Sequence, residues 1–243
     1  MQEPSQKPSE KAERVQAIFT EVADRYDLLN SVISLGVHHR WRKKCVAWSG
    51  ARAGDAVLDL ATGTGDLALE FARAVGPSGT VLGTDFNAAM LKPAPLKAQK
   101  QGLKHVRFEV ADATRLPYES SRFDVVSISF GIRNVDDPSK ALAEMARVAK
   151  PGGRVLVIET GQARNPAFRK VFDFYFSRVM PSLAALLGGN QAAYEYLQKS
   201  SAEFPSGERF LALARKAAPF SELEAQALFG GVAWLYRGVV AKD

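Results

Sequence analysis

Apolar residues at Val15, Ile18, Phe19, Val22, Tyr26 and Leu29 recur at the three-and-four spacing of one helix face, with Ser9 placed to cap it. The polar, proline-containing stretch 1–8 ahead of it reads as a disordered tail. A second helix is predicted from about His38, with Val37, Trp41, Cys45 and Trp48 on one face and Arg40, Arg42, Lys43 and Lys44 around it. Residues 9–50 thus read as a helical cap. From Asp55 onward, apolar runs at 56–60, 80–84, 105–110, 123–129 and 154–159 alternate with helix-length segments, predicting parallel strands buried on both faces of a doubly wound sheet. Pro93 and Pro95 fall in the helix after the second strand and should kink or shorten it. Pro151-Gly152-Gly153 reads as a turn leading into the fifth strand. Residues 161–204 break the alternation with Phe168, Phe172, Phe174, Tyr175, Phe176, Leu183, Leu186 and Leu187, and read as inserted helices. Two last runs, 222–228 and 232–240, flank Gly230-Gly231 and predict an antiparallel hairpin. The whole of 51–243 reads as one α/β domain carrying that insert.

Composition narrows the setting. Lys and Arg outnumber Asp and Glu by only 32 to 26, and no contiguous basic stripe or RNA-binding module accompanies the excess, so nucleic acid is not expected as a partner. The single Cys45 rules out an internal disulfide and a thiolate cluster, which suits a reducing cytoplasm, and Cys45 itself is expected to be inert. No apolar run approaches the roughly 20 residues of a membrane span, and the N-terminus lacks a signal peptide's apolar segment. A cytoplasmic protein, at most peripheral to a membrane, is expected.

Candidate chemistry begins where the first strand ends, in Val57-Leu58-Asp59-Leu60-Ala61-Thr62-Gly63-Thr64-Gly65-Asp66. Gly63-x-Gly65-x-x-Ala68, followed 22 residues after Gly63 by Asp85, meets a loose dinucleotide fingerprint and keeps an NAD-dependent oxidoreductase in play. Asp59 and Asp66 flank that turn, however, and carboxylates there compete with a diphosphate while suiting a ligand that carries an ammonium and a sulfonium. S-adenosylmethionine is such a ligand; the plainer alternative is that Asp66 only caps its helix. Asp85, with Phe86 behind it, can accept from two ribose hydroxyls, and Asp112-Ala113 after the third strand can meet an adenine edge or merely form an Asx turn. Acids after three successive strands, the glycine turn and the closing hairpin together favour a class I S-adenosylmethionine-dependent methyltransferase.

The flanks sharpen this. Tyr26-Asp27-Leu28-Leu29-Asn30 with Ser34, His38 and Trp41, then Ser129-Phe130-Gly131-Ile132-Arg133-Asn134, then Arg147-Val148-Ala149-Lys150-Pro151-Gly152-Gly153 leading to Glu159, resemble the ubiquinone/menaquinone biosynthesis C-methyltransferases of the UbiE/MenG type. The resemblance runs from about residue 14 to Arg237-Gly238, departing at Ala149, at Glu159-Thr160-Gly161 and at the two prolines. It implies that Thr64, Asp85, Asp112, Ala113 and Ser129 contact S-adenosylmethionine, and that the methyl goes to a ring carbon of a polyprenylated quinol. Demethylmenaquinol is the leading acceptor it implies, with a methoxy-polyprenyl-benzoquinol as the alternative. A homodimer is expected by analogy alone.

Methyl transfer from a sulfonium needs alignment and an electron-rich acceptor carbon, which a quinol gains as its hydroxyl, of phenol-like pKa about 10, loses a proton. Arg133, permanently charged, is expected to stabilise that oxyanion, with Asn134 orienting the ring; otherwise Arg133 pairs with Asp136 or Asp137 at the surface. His38, His39 and Tyr26 are the candidate proton acceptors, with a water relay as default, and no metal is expected. The aromatic insert at 165–187 is expected to line a prenyl groove and Arg40, Arg42, Lys43 and Lys44 to rest on anionic lipid; the plainer alternative is a covered sheet edge and a solvated helix face.

Overall fold

The computed structural model describes residues 9–179 and 191–242. The expected tail at 1–8 and the insert residues Leu183, Leu186 and Leu187 lie outside them. The N-terminal helices are α1 (Glu10–Val22), α2 (Tyr26–Ile33) and α3 (Val37–Ser49). The first amphipathic stretch is therefore not one helix to Leu29: a 3-10 turn at Ala23–Arg25 separates α1 from α2. Ser9 does cap α1, its hydroxyl accepting the Ala12 amide.

Five parallel strands follow: β1 (Ala56–Leu60), β2 (Thr80–Asp85), β3 (Val106–Val110), β4 (Phe123–Ser129) and β5 (Ala149–Thr160). Between them run α4 (Asp66–Val75), α5 (Ala88–Leu91), α6 (Pro93–Lys100) and α7 (Pro138–Val148). The prolines divide the helix after β2 as expected, with Pro93 opening α6, where a missing amide costs nothing. Pro151-Gly152-Gly153 lies within β5: pairing jumps from Phe123↔Ala149 to Val125↔Arg154, so residues 150–153 bulge out of the ladder instead of preceding the strand. The insert contributes α8 (Pro166–Phe174), a π-turn at Tyr175–Val179 and α9 (Gln191–Glu203); α10 (Glu208–Ala217) then leads to β6 (Phe220–Leu228) and β7 (Ala233–Val240).

The strands form one sheet in the order β3-β2-β1-β4-β5-β7-β6, with β7 antiparallel to both neighbours. Period-two alternation sends Leu58, Leu60, Val126 and Ile128 into the core beneath α7 and α10, and Val57, Val125, Leu156 and Ile158 into the core beneath α3 and α4. Cys45 is fully buried in the latter, and burial pushes its thiol well above the usual range. The expectation of strands buried on both faces fails at β3, whose Arg107, Glu109 and Val110 are exposed: with one neighbour, it is the sheet's edge.

The chain reverses direction across the sheet between β1 and β4, and a crevice opens beyond their carboxyl ends. Beneath it lies Asp59, 1% exposed, whose two oxygens accept Thr62 Oγ1 at 2.7 Å and Ser127 Oγ at 2.6 Å. These bonds tie the turn after β1 to β4, and burial pushes the Asp59 carboxyl up to about 6 in spite of both. A folded-state pKa above the unfolded one means that the native protein binds the proton more tightly, so Asp59 costs stability as pH rises from about 4 to about 6. Asp59→Asn should therefore gain stability relative to the unsubstituted protein across that window, by about 3 kcal/mol. Denaturant unfolding at pH 4 and pH 7 reads this directly; an equal difference at both pH values would contradict it.

Candidate active site

A cavity at the crevice is lined by Ala61 and Gly63 from the turn after β1, Thr84, Asp85 and Phe86 from β2, Asp112 and Ala113 after β3, and Ser129 at the end of β4. Gly63 needs its glycine: φ is +56°, and a Cβ would sit 3.4 Å from Met90 Cε. Its amide donates to Asp85 Oδ2 at 2.9 Å, and the Asn87 amide donates to Oδ1 at 2.9 Å. Burial nonetheless raises the Asp85 pKa, the two amides opposing it. Asp112 does form the Asx turn, its Oδ1 accepting both the amide and the hydroxyl of Thr114. The hydroxyls of Thr84 and Ser129 are buried against this cavity without a partner among the described residues. Two orphaned donors on β2 and β4, the strands flanking β1, are what a polar ligand in this cavity would satisfy.

Three other predicted residues do not line the cavity. Asp59 supports the turn from beneath, as described above. Gly65 opens α4 at φ +86°, and a Cβ there would meet Ala94 Cβ at 2.8 Å, so its role is close packing against α6 and β3. Thr64 donates to Asp27 Oδ1 at 2.5 Å and accepts from Lys97 Nζ at 3.0 Å. The reading of Asp66 as an acid facing a cationic ligand is corrected in the same way. Its Oδ2 accepts from Arg42 Nη1 at 2.7 Å and its Oδ1 from Lys97 Nζ at 2.7 Å. Burial alone would raise its pKa, but these two cations outweigh burial and hold it below the usual range. An acid 24 residues from one cation and 31 from the other finds them only through the fold.

The cap helices roof the crevice. Ala12, Val15, Gln16 and Phe19 of α1 and Tyr26 of α2 face the cavity, although no α1 residue is fully buried. The roof is held at its edges: Ser9 Oγ donates to Asp136 at 2.7 Å, Lys11 Nζ to the Val135 carbonyl at 2.6 Å, and Asn87 Nδ2 to the Gln16 carbonyl at 3.1 Å.

A second cavity, about 430 Å³ and mostly apolar, lies on the other side of Phe19, Tyr26 and Phe130, which wall both. Leu29, Val37 and Trp41 line it from the cap, Phe168, Phe172 and Tyr175 from the insert, and Phe229 and Val232 from the β6–β7 connection. Its polar residues are few, among them Asn30, Ser34, His38, Arg42, Arg133, Thr160 and Tyr196. Phe130, the partition, holds φ +56° and Ala61 opposite holds +45°, unfavourable for residues with a Cβ. Glycine is obligatory between them in space, since a Cβ on Gly131 would meet the Ala61 Cβ.

Arg133 lines this second cavity with its side chain 5% exposed, and pairs with neither Asp136 nor Asp137. Its Nη1 donates to Glu159 Oε1 at 2.7 Å and to the Phe130 carbonyl at 2.7 Å, while Nε is buried without a partner. The pairing was legible in principle, because a carboxylate ending the apolar run Val155-Leu156-Val157-Ile158 needs a partner. Asn134 lines the first cavity, and its Oδ1 accepts from Tyr196 Oη at 3.0 Å, a contact from α9 with no sequence signal. His38 is 4% exposed, with Nδ1 2.5 Å from Ser34 Oγ, and Ser34 donates to the Asn30 carbonyl at 2.7 Å. Burial first, then the Arg42 charge, pulls its pKa down to about 4. His38 is thus neutral at ordinary pH and a weak proton acceptor. Burial also raises the Tyr26 hydroxyl. His39 is exposed and lines neither cavity.

Relatives share this arrangement's chain. A UbiE ubiquinone/menaquinone biosynthesis C-methyltransferase from Bdellovibrio bacteriovorus is 54% identical over 228 residues, covering 94% of this chain and 96% of that one. A demethylmenaquinone methyltransferase from Oceanobacillus iheyensis is 40% identical over 237 residues, covering 98% and 99%. Among solved structures, a SAM-dependent methyltransferase from Aquifex aeolicus superposes with a TM-score of 0.59 at 19% identity, covering 82% of this chain and 89% of that one. The [4+2]-cyclase SpnF superposes at 0.69 with 16% identity, covering 96% and 97%. Such distant likenesses establish the class I methyltransferase fold and no more, as a cyclase among them illustrates. The sequence profile of the ubiE/COQ5 methyltransferase family matches residues 7–240, and together with the 54% identical relative it shows that this chain belongs to that family.

Proposed function

We propose that this enzyme methylates a ring carbon of a polyprenylated quinol, with S-adenosylmethionine as donor, demethylmenaquinol as the leading acceptor and a methoxy-polyprenyl-benzoquinol as the alternative. The observation that carries this reading is the pair of cavities meeting at Phe19, Tyr26 and Phe130: one the more polar and lined by the strand-tip acids Asp85 and Asp112, the other mostly apolar with two buried guanidiniums, of which Arg42 is committed to Asp66 and Arg133 to Glu159. Bound S-adenosylmethionine supplies an electrophilic methyl on a sulfonium. In the first cavity, Asp85 keeps lone pairs for ribose hydroxyls beyond the two amides it accepts, and the orphaned Thr84 and Ser129 hydroxyls gain a partner. Asp112 and Ala113 line the same cavity, and their free carboxylate oxygen and amide are the groups we assign to an adenine edge.

In the second cavity the aromatic and aliphatic walls exclude water and accept a prenyl tail. Arg133 lines this cavity with Nη1 committed to Glu159 and Phe130 and Nε buried without a partner, and it is the unpartnered Nε that we assign to an oxygen that gains negative charge. Asn134 lines the first cavity and meets the second through Tyr196, whose hydroxyl donates to Asn134 Oδ1 and is thereby oriented at the acceptor cavity's wall. A His38 pKa of about 4 and a raised Tyr26 pKa make both poor acceptors at neutral pH, so the proton leaves through water.

The second cavity is lined in part by Leu35, 76% exposed, and Phe229, 57% exposed, and Arg40, Lys43 and Lys44 are exposed on α3, the helix that also lines the cavity through Val37, His38 and Trp41. This combination supports docking of the cavity mouth on an anionic membrane from which the acceptor enters. Arg42 drops out of the lipid-facing set, because it is buried against Asp66. No helix among the described residues is long and apolar enough to cross a bilayer.

Incubation with labelled S-adenosylmethionine and either reduced demethylmenaquinone or a benzoquinol analogue should give a product whose added methyl is located on a ring carbon by mass spectrometry. No labelled product from either quinol would contradict the reading. Co-sedimentation with anionic vesicles should fall severalfold when Leu35 and Phe229 become Asp and Arg40, Lys43 and Lys44 become Gln; undiminished binding would reject the docking surface.

A further inference from the structure

Glu159, the penultimate residue of β5, has its side chain 1% exposed and lines neither cavity. Its Oε1 accepts Arg133 Nη1 at 2.7 Å, the Thr160 amide at 2.7 Å and Thr160 Oγ1 at 3.2 Å, while Oε2 accepts the Arg133 amide at 3.3 Å. The carboxylate thus grips Arg133 twice, by its guanidinium and by the backbone of the 3-10 turn Ile132–Asn134 that also carries Asn134. Burying two charges is costly, and an apolar pair would hold the same turn as well or better, so packing alone does not account for the pair.

We propose that Glu159 is the positioning residue of the acceptor site, aiming Arg133 and setting the charge that the quinol oxygen experiences. It rests on the quinol-methylating function proposed above. An uncompensated guanidinium close to a phenolic oxygen lowers its pKa by about 1–3 units, whereas one paired with a carboxylate on its far side lowers it much less. Glu159 therefore lets a neutral quinol enter and be aligned before its oxygen gives up the proton, while keeping the Nε edge of Arg133 directed at that oxygen.

The other ionisable groups around the pair are Tyr26 from α2, His38 and Arg42 from α3, Tyr196 from α9, Tyr236 from β7, Lys11 from α1 and Asp136 in the loop after Asn134. Burial raises all three tyrosines and pulls His38 down to about 4, so the tyrosines and His38 keep their charge between about pH 5 and 8, and burial also lowers the Lys11 ammonium from its usual range. Asp59, pushed up to about 6 beneath the glycine turn, titrates in every variant alike, so differences between variants isolate the acceptor.

Two substitutions separate charge from reach. Glu159→Gln keeps the shape and one acceptor oxygen but removes the charge. Glu159→Asp keeps the charge but withdraws the carboxylate by one methylene. The acid limb of the kcat profile should move about one pH unit lower in Glu159→Gln. It should stay fixed in Glu159→Asp while kcat falls about tenfold through lost alignment. KM for S-adenosylmethionine should be unchanged in both. Unshifted profiles in both variants, with kcat losses that track the loss of thermal stability, would make Glu159 merely structural and overturn the proposal, as would full kcat in Glu159→Asp. A chromogenic naphthol bound in the second cavity and titrated by absorbance reads the same charge effect without turnover. Its pKa should be about one unit lower in Glu159→Gln than in the unsubstituted protein, and an equal pKa would overturn the proposal. Lack of quinol methylation by the unsubstituted protein strikes the assigned reaction instead, and the naphthol titration still decides the role of Glu159.

Discussion

The carboxylate of Asp85 accepts one amide from the glycine turn after β1 and another from its own turn after β2, and those two bonds give the crevice its shape. Without them the turn at Gly63 has no reason to hold its left-handed conformation beside Met90, and the gap between the strand tips has no fixed floor. Asp59 repeats the device one layer down, linking Thr62 to Ser127 across β1 and β4. Carboxylates thus appear at this end of the sheet as braces, as partners of buried cations and as lining of the cavity. Asp85 combines bracing of two turns with a place in the cavity wall, and Asp112 and Asp136 do so for one segment each.

The partition between the two cavities is the other constraint. Phe130 and Ala61 adopt strained backbone conformations on opposite sides of Gly131, which brings the ends of β1 and β4 close together. That close approach puts the polar cavity within one side chain's thickness of the apolar one. The cap completes both: α1 and α2 supply Phe19 and Tyr26 to the shared wall, and the polar bonds holding α1 lie at its margins. Within this roof α1, with no fully buried residue, opens at modest cost, which suits a site that must admit two dissimilar molecules.

The sheet was readable because strands buried on both faces appear as unbroken apolar runs, and the residues that line the crevice were readable because Gly63, Asp85, Asp112 and Ser129 each sit at the end of such a run or within three residues past it. What escaped was partner choice. Asp66 is adjacent to the glycine turn in sequence, yet Arg42 and Lys97 claim it in space. Arg133 has acids three and four residues on, yet it pairs with Glu159, 26 residues away. Electrostatic pairing depends on which side chains the packed core leaves facing one another, and periodicity carries no information on that. The 3-10 break between α1 and α2 escaped for a related reason: one apolar stripe is shared by two helices.

The central claim is that the strand-tip cavity holds S-adenosylmethionine through Asp85 rather than a dinucleotide. Calorimetric titration with S-adenosylmethionine and with its demethylated product tests this most directly, alongside NAD as the competing ligand. Saturable heat is predicted with the first two, weakened about tenfold or more by Asp85→Asn, and none with NAD. Tight NAD binding with no heat from S-adenosylmethionine or its product would contradict the account.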